Sequence, residues 1–214
     1  NVFGRYVSNQ VAEVILQGDL ELGGERKTAT VLFTDIRGFT SMSEQMPPEE
    51  VVSMLNQYFD VMVRCMTEQG GTVDKFIGDA ILCLFGVPIG KETVSENAKA
   101  AIECAKDMRE RLALMNEQRK QEGLIEIRTG IGIHTGLVIA GNIGTSERME
   151  YTVIGDTVNL CSRLEHMTKD MGTPVLISEA TAQLVEDSIQ LKELTTIEVR
   201  GREEPVKVYG LENE

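Results

Sequence analysis

Apolar residues recur at helical spacing near the start of the chain, where Val7, Val11, Val14 and Ile15 share one face and predict a helix over residues 2–18. Gly18 and the Gly23-Gly24 pair end that pattern, so residues 1–27 read as an entry helix and linker. A β-rich run, TATVLFTD over 28–35, ends in acidic and glycine residues. Pro47-Pro48-Glu49-Glu50 then opens a helix, because proline suits its first turn and carboxylates favour its positive end. Val51, Leu55, Tyr58, Met62 and Met66 form its apolar face, and Gly70-Gly71 stops it. Residues 72–77 and 80–85 read as two strands joined by a hairpin turn at Gly78-Asp79. A long helix is predicted over 94–121. Strands are predicted over 125–134, 137–142 and 151–154, and a helix over 157–167. The chain closes with strands over 174–177, 189–195 and 206–211 and a short helix over 179–185.

The order of these elements is β-α-β-β-α-β with additions. It predicts an α/β (α+β) fold with a ferredoxin-like βαββαβ core, extended by further strands and helices. Many functions share this pattern, so it assigns none.

Composition narrows the choices. With 214 residues, 42% hydrophobic and 26% charged, the chain has the make-up of a globular domain with a substantial core. A formal charge of −13 and the lack of any Lys/Arg cluster argue against nucleic acid as a partner. Cys65, Cys83, Cys104 and Cys161 are scattered, with only His134 and His166 beside them, which argues against zinc and for reduced, buried thiols in the cytoplasm. No apolar run approaches the roughly 20 residues that span a bilayer. The start at Asn1, with no signal-peptide pattern, is expected of a catalytic piece of a longer protein, whose sensor or membrane anchor would lie upstream.

Three groups of residues carry candidate chemistry. Asp35 ends one predicted strand and Asp79 sits in the hairpin turn between two others, so a split βαβ sheet brings both to one end. Two close carboxylates repel unless a cation lies between them, and such hard oxygen donors suit Mg²⁺ or Mn²⁺. Taken singly, each is an ordinary turn aspartate. The segment Asp35-Ile36-Arg37-Gly38-Phe39-Thr40 leads from strand to helical turn, where free N–H groups can hold phosphate oxygens. Asn159 and Arg163 are four apart on a predicted helix and share a face, with Thr152 on the strand before them. A solvated Arg163 paired with Glu150 or Glu165 is the plainer alternative.

Four stretches, VLFTDIRGFTS from Val31, DKFIGDA from Asp74, GIHTGLVIAG from Gly132 and YTVIGDTVNLCSR from Tyr151, resemble class III nucleotidyl cyclase catalytic domains, of the bacterial adenylyl type. The resemblance runs from about residue 28 to residue 211. It implies that Asp35 and Asp79 bind two divalent ions, Mg²⁺ or Mn²⁺, with the Ile36 carbonyl as a further ligand. Gly38, Phe39 and Thr40 would offer N–H groups to phosphates. Lys75 and Thr152 would read the base, and Asn159 and Arg163 would orient the ribose and stabilise the transition state. Arg200 matches a basic position that contacts the terminal phosphate, where the family usually has Lys. A family Arg often found two residues before the Gly-Ile-His motif is replaced by Gly130, with Arg128 on the same predicted strand face.

The implied reaction is conversion of ATP to 3′,5′-cyclic AMP and pyrophosphate at sites shared across a homodimer. Residues 28–214 would form the catalytic domain and residues 1–27 a transducing element. Lys75 can only donate hydrogen bonds, which suits adenine N1 and opposes guanine N1–H. A guanylyl cyclase of the same fold and a nucleotide-binding regulatory domain remain alternatives. A P-loop enzyme is excluded, since the chain has no G-x-x-x-x-G-K-[ST].

Overall fold

A computed structural model of the chain describes residues 8–17, 22–198 and 205–211. Its elements are α1 (Asn9–Gln17), β1 (Gly23–Ile36), α2 (Phe39–Ser43), α3 (Pro48–Glu68), β2 (Thr72–Ile77), β3 (Ala80–Phe85) and α4 (Val94–Gln121). There follow β4 (Thr129–Gly144), β5 (Met149–Ile154), α5 (Asp156–Asp170), β6 (Val175–Ser178), α6 (Glu179–Val185), β7 (Leu191–Ile197) and β8 (Val206–Leu211). The predicted first helix is described from Asn9 only, and residues 1–7 lie outside the described residues.

The sheet runs β2-β3-β1-β4-β6-β8-β7, with β5 paired to the far half of β4. Its first four strands have the ferredoxin-like order, all antiparallel. β1 therefore lies beside β3, as the split βαβ reading requires. Every residue of β3 is buried because both faces of the sheet are covered. On one face Leu32, Ile81, Cys83, Phe85 and Ile133 pack against α3 and α4. On the other, Val31, Leu82, Leu84, Val138 and Val153 meet Cys161 of α5.

Several boundaries differ from the pattern in the sequence. The two strands expected over 125–134 and 137–142 are one strand, β4, and residues 124–128 are not strand. β1 starts at Gly23, with Gly24 opposite Gly141. A Cβ on Gly24 would come within 2.7 Å of the Ile139 side chain, so the glycine pair serves a close strand approach. The buried face of α3 is Met54, Tyr58, Met62, Cys65 and Met66, while Val51 and Leu55 are only half-buried. All four cysteines are free and buried, and burial raises the pKa of each.

Candidate active site

Asp35 is the penultimate residue of β1. It faces α5 together with Phe33, while Leu32 and Ile36 face α3 and α4. The β2–β3 hairpin has two turn residues, and Gly78 takes the left-handed φ of 63° that a type II′ turn needs at its first position. That turn delivers Asp79 to the end of β1. The Ile36 amide N–H donates to Asp35 Oδ1 at 2.9 Å and to Asp79 Oδ2 at 3.1 Å. Two carboxylates thus converge on one N–H. Burial first, then the Asp79 carboxylate, push the Asp35 carboxyl up to about 7, with Glu165 adding to the shift.

This pair fits a divalent cation. Like charges are held together with too few donors to balance them, and a cation supplies what is missing. No set of three or more His, Cys, Asp or Glu side chains at metal-ligating spacing occurs among the described residues. A protein that offers two carboxylates and leaves the rest of the shell to water or phosphate suits Mg²⁺ or Mn²⁺.

The chain after Asp35 turns sharply. The Arg37 N–H donates to the Arg128 carbonyl at 2.8 Å, and the Arg37 guanidinium to the Thr173 carbonyl at 2.8 Å. Gly38, at φ 71°, adopts the left-handed conformation that starts α2. Gly38 and Thr40 are exposed, and Phe39 packs against the core. The chain thus enters α2 through two exposed residues, Gly38 and Thr40, that flank a half-buried Phe39.

α5 closes the other side. Side chains at Gly130 and Gly132 of β4 would overlap Glu165, Thr168 and the Cys161 carbonyl, so these glycines let the helix sit down on the strand. A larger side chain at position 130 would require Glu165 and Thr168 to shift. The result is a cavity of about 520 Å³ lined by Asp35, Asp79, Ser162, Arg163, Glu165 and His166, among others. Arg163 therefore shares a cavity with the carboxylate pair. Asn159 lies one turn before it on the exposed side of the helix. Glu165 is buried, and burial raises its carboxyl pKa.

Lys75 and Thr152, 77 positions apart in sequence, both approach the carboxylate of Asp74. Thr152 Oγ1 donates to Asp74 Oδ2 at 2.8 Å. Lys75 Nζ donates to Glu150 Oε1 at 2.7 Å and lies 3.6 Å from Asp74 Oδ2. Glu150 is thus engaged by Lys75. Asp74 sits at an irregularity in the β2–β3 pairing, between Val73 and Lys75. The sequence assigns no role to Asp74 and offers Glu150 only as a candidate surface partner of Arg163. The only signal for Asp74 was its place inside the DKFIGDA stretch. Arg200 lies outside the described residues.

This arrangement is that of a nucleotidyl cyclase, and the comparisons agree. The profile of the family "Adenylate and Guanylate cyclase catalytic domain" matches residues 24–213, and the chain belongs to that family. Adenylate cyclase 1 of Rhizobium meliloti (strain 1021) is 40% identical over 184 residues, which is 86% of this chain but 27% of that protein. The crystal structure of the adenylyl cyclase CyaB from P. aeruginosa is 37% identical, with a TM-score of 0.81 over 88% of this chain and 95% of its own. The crystal structure of the guanylyl cyclase Cya2 is 39% identical, with a TM-score of 0.81 over 90% and 96%. The chain spans about a quarter of the length of the Rhizobium protein. Choice of base therefore turns on the residues that touch it.

Proposed function

We propose that the chain is the catalytic domain of an adenylyl cyclase that converts ATP to 3′,5′-cyclic AMP and pyrophosphate. The observation that carries the reading is the convergence of Asp35 and Asp79 on the Ile36 amide. The ribose 3′ oxygen attacks the α-phosphorus, the bond to the β-phosphate oxygen breaks in line, and the 3′ proton is released. Asp35 and Asp79, with the Ile36 carbonyl, would hold two Mg²⁺ or Mn²⁺ ions. The chemistry such ions supply when bound is a lowered pKa for the 3′ hydroxyl and neutralisation of the leaving pyrophosphate.

The remaining roles fall to this chain's own groups. The N–H groups of Gly38, Phe39 and Thr40 hold phosphate oxygens, and Arg200 meets the terminal phosphate. Asn159 orients the ribose. Arg163 opposes charge that grows on the α-phosphoryl oxygens, a contribution of about 3–4 kcal/mol for one well-placed donor. Lys75 donates to adenine N1, and Thr152 accepts from the N6 amine. ATP is therefore the substrate rather than GTP.

Phe76, Ile77, Leu137, Ile139 and Ile154 are exposed, and Ile139 pairs with Ile154 across β4 and β5. Such an apolar surface supports a homodimer in which each site takes its carboxylates from one chain and Lys75, Thr152, Asn159 and Arg163 from the other. Four buried free thiols support a reducing, cytoplasmic place of action. No helix among the described residues is long and apolar enough to cross a membrane. Residues 1–27 would transmit a signal from an upstream module.

The test supplies ATP and GTP separately, each with Mg²⁺ and with Mn²⁺, and identifies the product by mass. Cyclic AMP from ATP, with GTP turned over far more slowly, is the expected outcome. Preferential cyclic GMP formation would replace the adenylyl reading with the guanylyl one.

A further inference from the structure

A threonine hydroxyl is an ambivalent reader of a purine. It can accept from the adenine N6 amine or donate to guanine O6 with equal ease. Thr152 alone would therefore contribute little to choosing between the two bases. Its surroundings remove the ambivalence. Thr152 is 7% exposed. Its hydroxyl proton points at Asp74 Oδ2, 2.8 Å away, and the Asp74 side chain is 2% exposed. A carboxylate without a proton can only accept, so it commits the Thr152 proton and leaves the Thr152 oxygen with lone pairs alone. The same Asp74 oxygen lies 3.6 Å from the Lys75 ammonium, which Glu150 also holds at 2.7 Å.

We infer that Asp74 is a specificity-determining positioning residue: it fixes Thr152 as a hydrogen-bond acceptor beside the obligate donor Lys75, and so sets the pair for adenine. The donor and acceptor match N1 and N6 of adenine and mismatch both N1–H and O6 of a 6-oxopurine. The irregularity in β2 at Asp74 explains how this is possible. In a regular strand, residues 74 and 75 point to opposite faces. The register shift lets neighbouring side chains serve one cluster. Asp74 need not touch the nucleotide. It acts through Thr152, and the inference rests on the adenylyl cyclase reading above.

The test compares kcat/KM for ATP, inosine triphosphate and GTP in the wild type, Asp74→Leu, Asp74→Ala and Asp74→Asn. Inosine triphosphate differs from ATP only where Lys75 and Thr152 read. Leu and Ala remove the acceptor and free the hydroxyl to donate to O6. The ratio of ATP to inosine triphosphate should narrow by about 10- to 100-fold, the cost typical of one unmatched buried polar group. Part of that change should be a rise in kcat/KM for inosine triphosphate, which general damage to the fold cannot produce. Asn retains a carbonyl acceptor and should keep the wild-type ratio. In a Thr152→Val background, Asp74→Leu should leave the ratio unchanged.

The outcomes separate. A wild type with no preference for ATP overturns the adenylyl reading itself. A wild type that prefers ATP, with Leu and Ala variants that keep the full ratio, overturns the role of Asp74 alone. So does an Asn variant that behaves like Leu, or a further loss in the Thr152→Val background. Should Asp74→Leu not fold, Asp74→Ala and Asp74→Asn decide the matter by the same ratios.

Discussion

The two polar clusters of this molecule are built on opposite principles. Around Lys75 and Thr152 each charge has a partner: Asp74 faces a hydroxyl and an ammonium, and Glu150 faces the same ammonium. Around Asp35 and Asp79 two carboxylates share one amide N–H, and a third carboxylate, Glu165, adds to their repulsion. The first cluster is complete before any ligand arrives, as a template must be if it is to discriminate. The second is incomplete, and the positive charge it lacks is what a bound cation would bring. A satisfied network selects, and an unsatisfied one recruits.

The sharpest way to break this contrast is to remove a carboxylate from the incomplete cluster. Asp79→Ala should lower kcat by about 10³-fold or more, since the Lewis-acid contribution it supports amounts to several kcal/mol. Its metal-free stability should not fall, because a repulsive charge is removed and the residue sits in a turn. Turnover near the wild-type level would show that the pair holds no catalytic cation. A marked loss of stability without metal would show that the pair is structural.

The next test asks whether the cavity shared by Arg163 and the carboxylates is itself the site. Asp35, Asp79 and Arg163 line one cavity of a single chain, whereas the dimer reading pairs the Arg163 of one chain with the carboxylates of the other. Mixing two inactive variants, Asp79→Ala and Arg163→Ala, distinguishes these. In a mixed dimer with sites built across the interface, one site carries both lesions and the other neither. Random exchange makes about half the dimers mixed, so activity should recover to roughly a quarter of wild type and fall on dilution. No recovery, with exchange shown independently, would place the site within one chain.

The incomplete cluster was far more legible in the sequence than the complete one. Asp35 and Asp79 stand at strand ends that the apolar runs mark, and the strand order alone brings them together. Asp74 could not be found that way. Its partner Thr152 is 78 positions distant, and an irregularity that no local pattern announces puts its side chain where it matters. The fold shows the same division. The core strands and the helix Pro48–Glu68 follow from periodicity and end signals. The sequence pattern leaves a gap between strands at Thr135-Gly136, yet β4 runs through it. Its glycines answer instead to close neighbours: Gly130 and Gly132 to α5, Gly136 to Thr157, and Gly141 to β1. A glycine demanded by tertiary packing looks, in sequence, like one demanded by a bend.

The smallest expected effect is on stability against pH, and it separates the clusters without measuring catalysis. The folded-state pKa of Asp35 is about 7, against 3.8 for an unperturbed aspartate. Between those values the native state holds a proton that the unfolded state has released. Stability then falls as pH rises, because the folded form binds more protons. In chelator, metal-free protein should thus lose stability between about pH 4 and pH 7, and Asp35→Asn should flatten that slope. Added Mn²⁺ at fixed pH should stabilise the wild type, through binding to the native state alone, and leave Asp35→Asn little changed. The Asp74 carboxyl is also raised, by burial, but the Thr152 hydrogen bond and Lys75 oppose that shift. Removing its titration should change the slope less. Chemical denaturation at several pH values, with chelator and with Mn²⁺, measures all of this. A slope that persists in Asp35→Asn, and a Mn²⁺ stabilisation that survives it, would show that the carboxylates end in a cluster already satisfied by the protein, and the contrast between the two regions would fail.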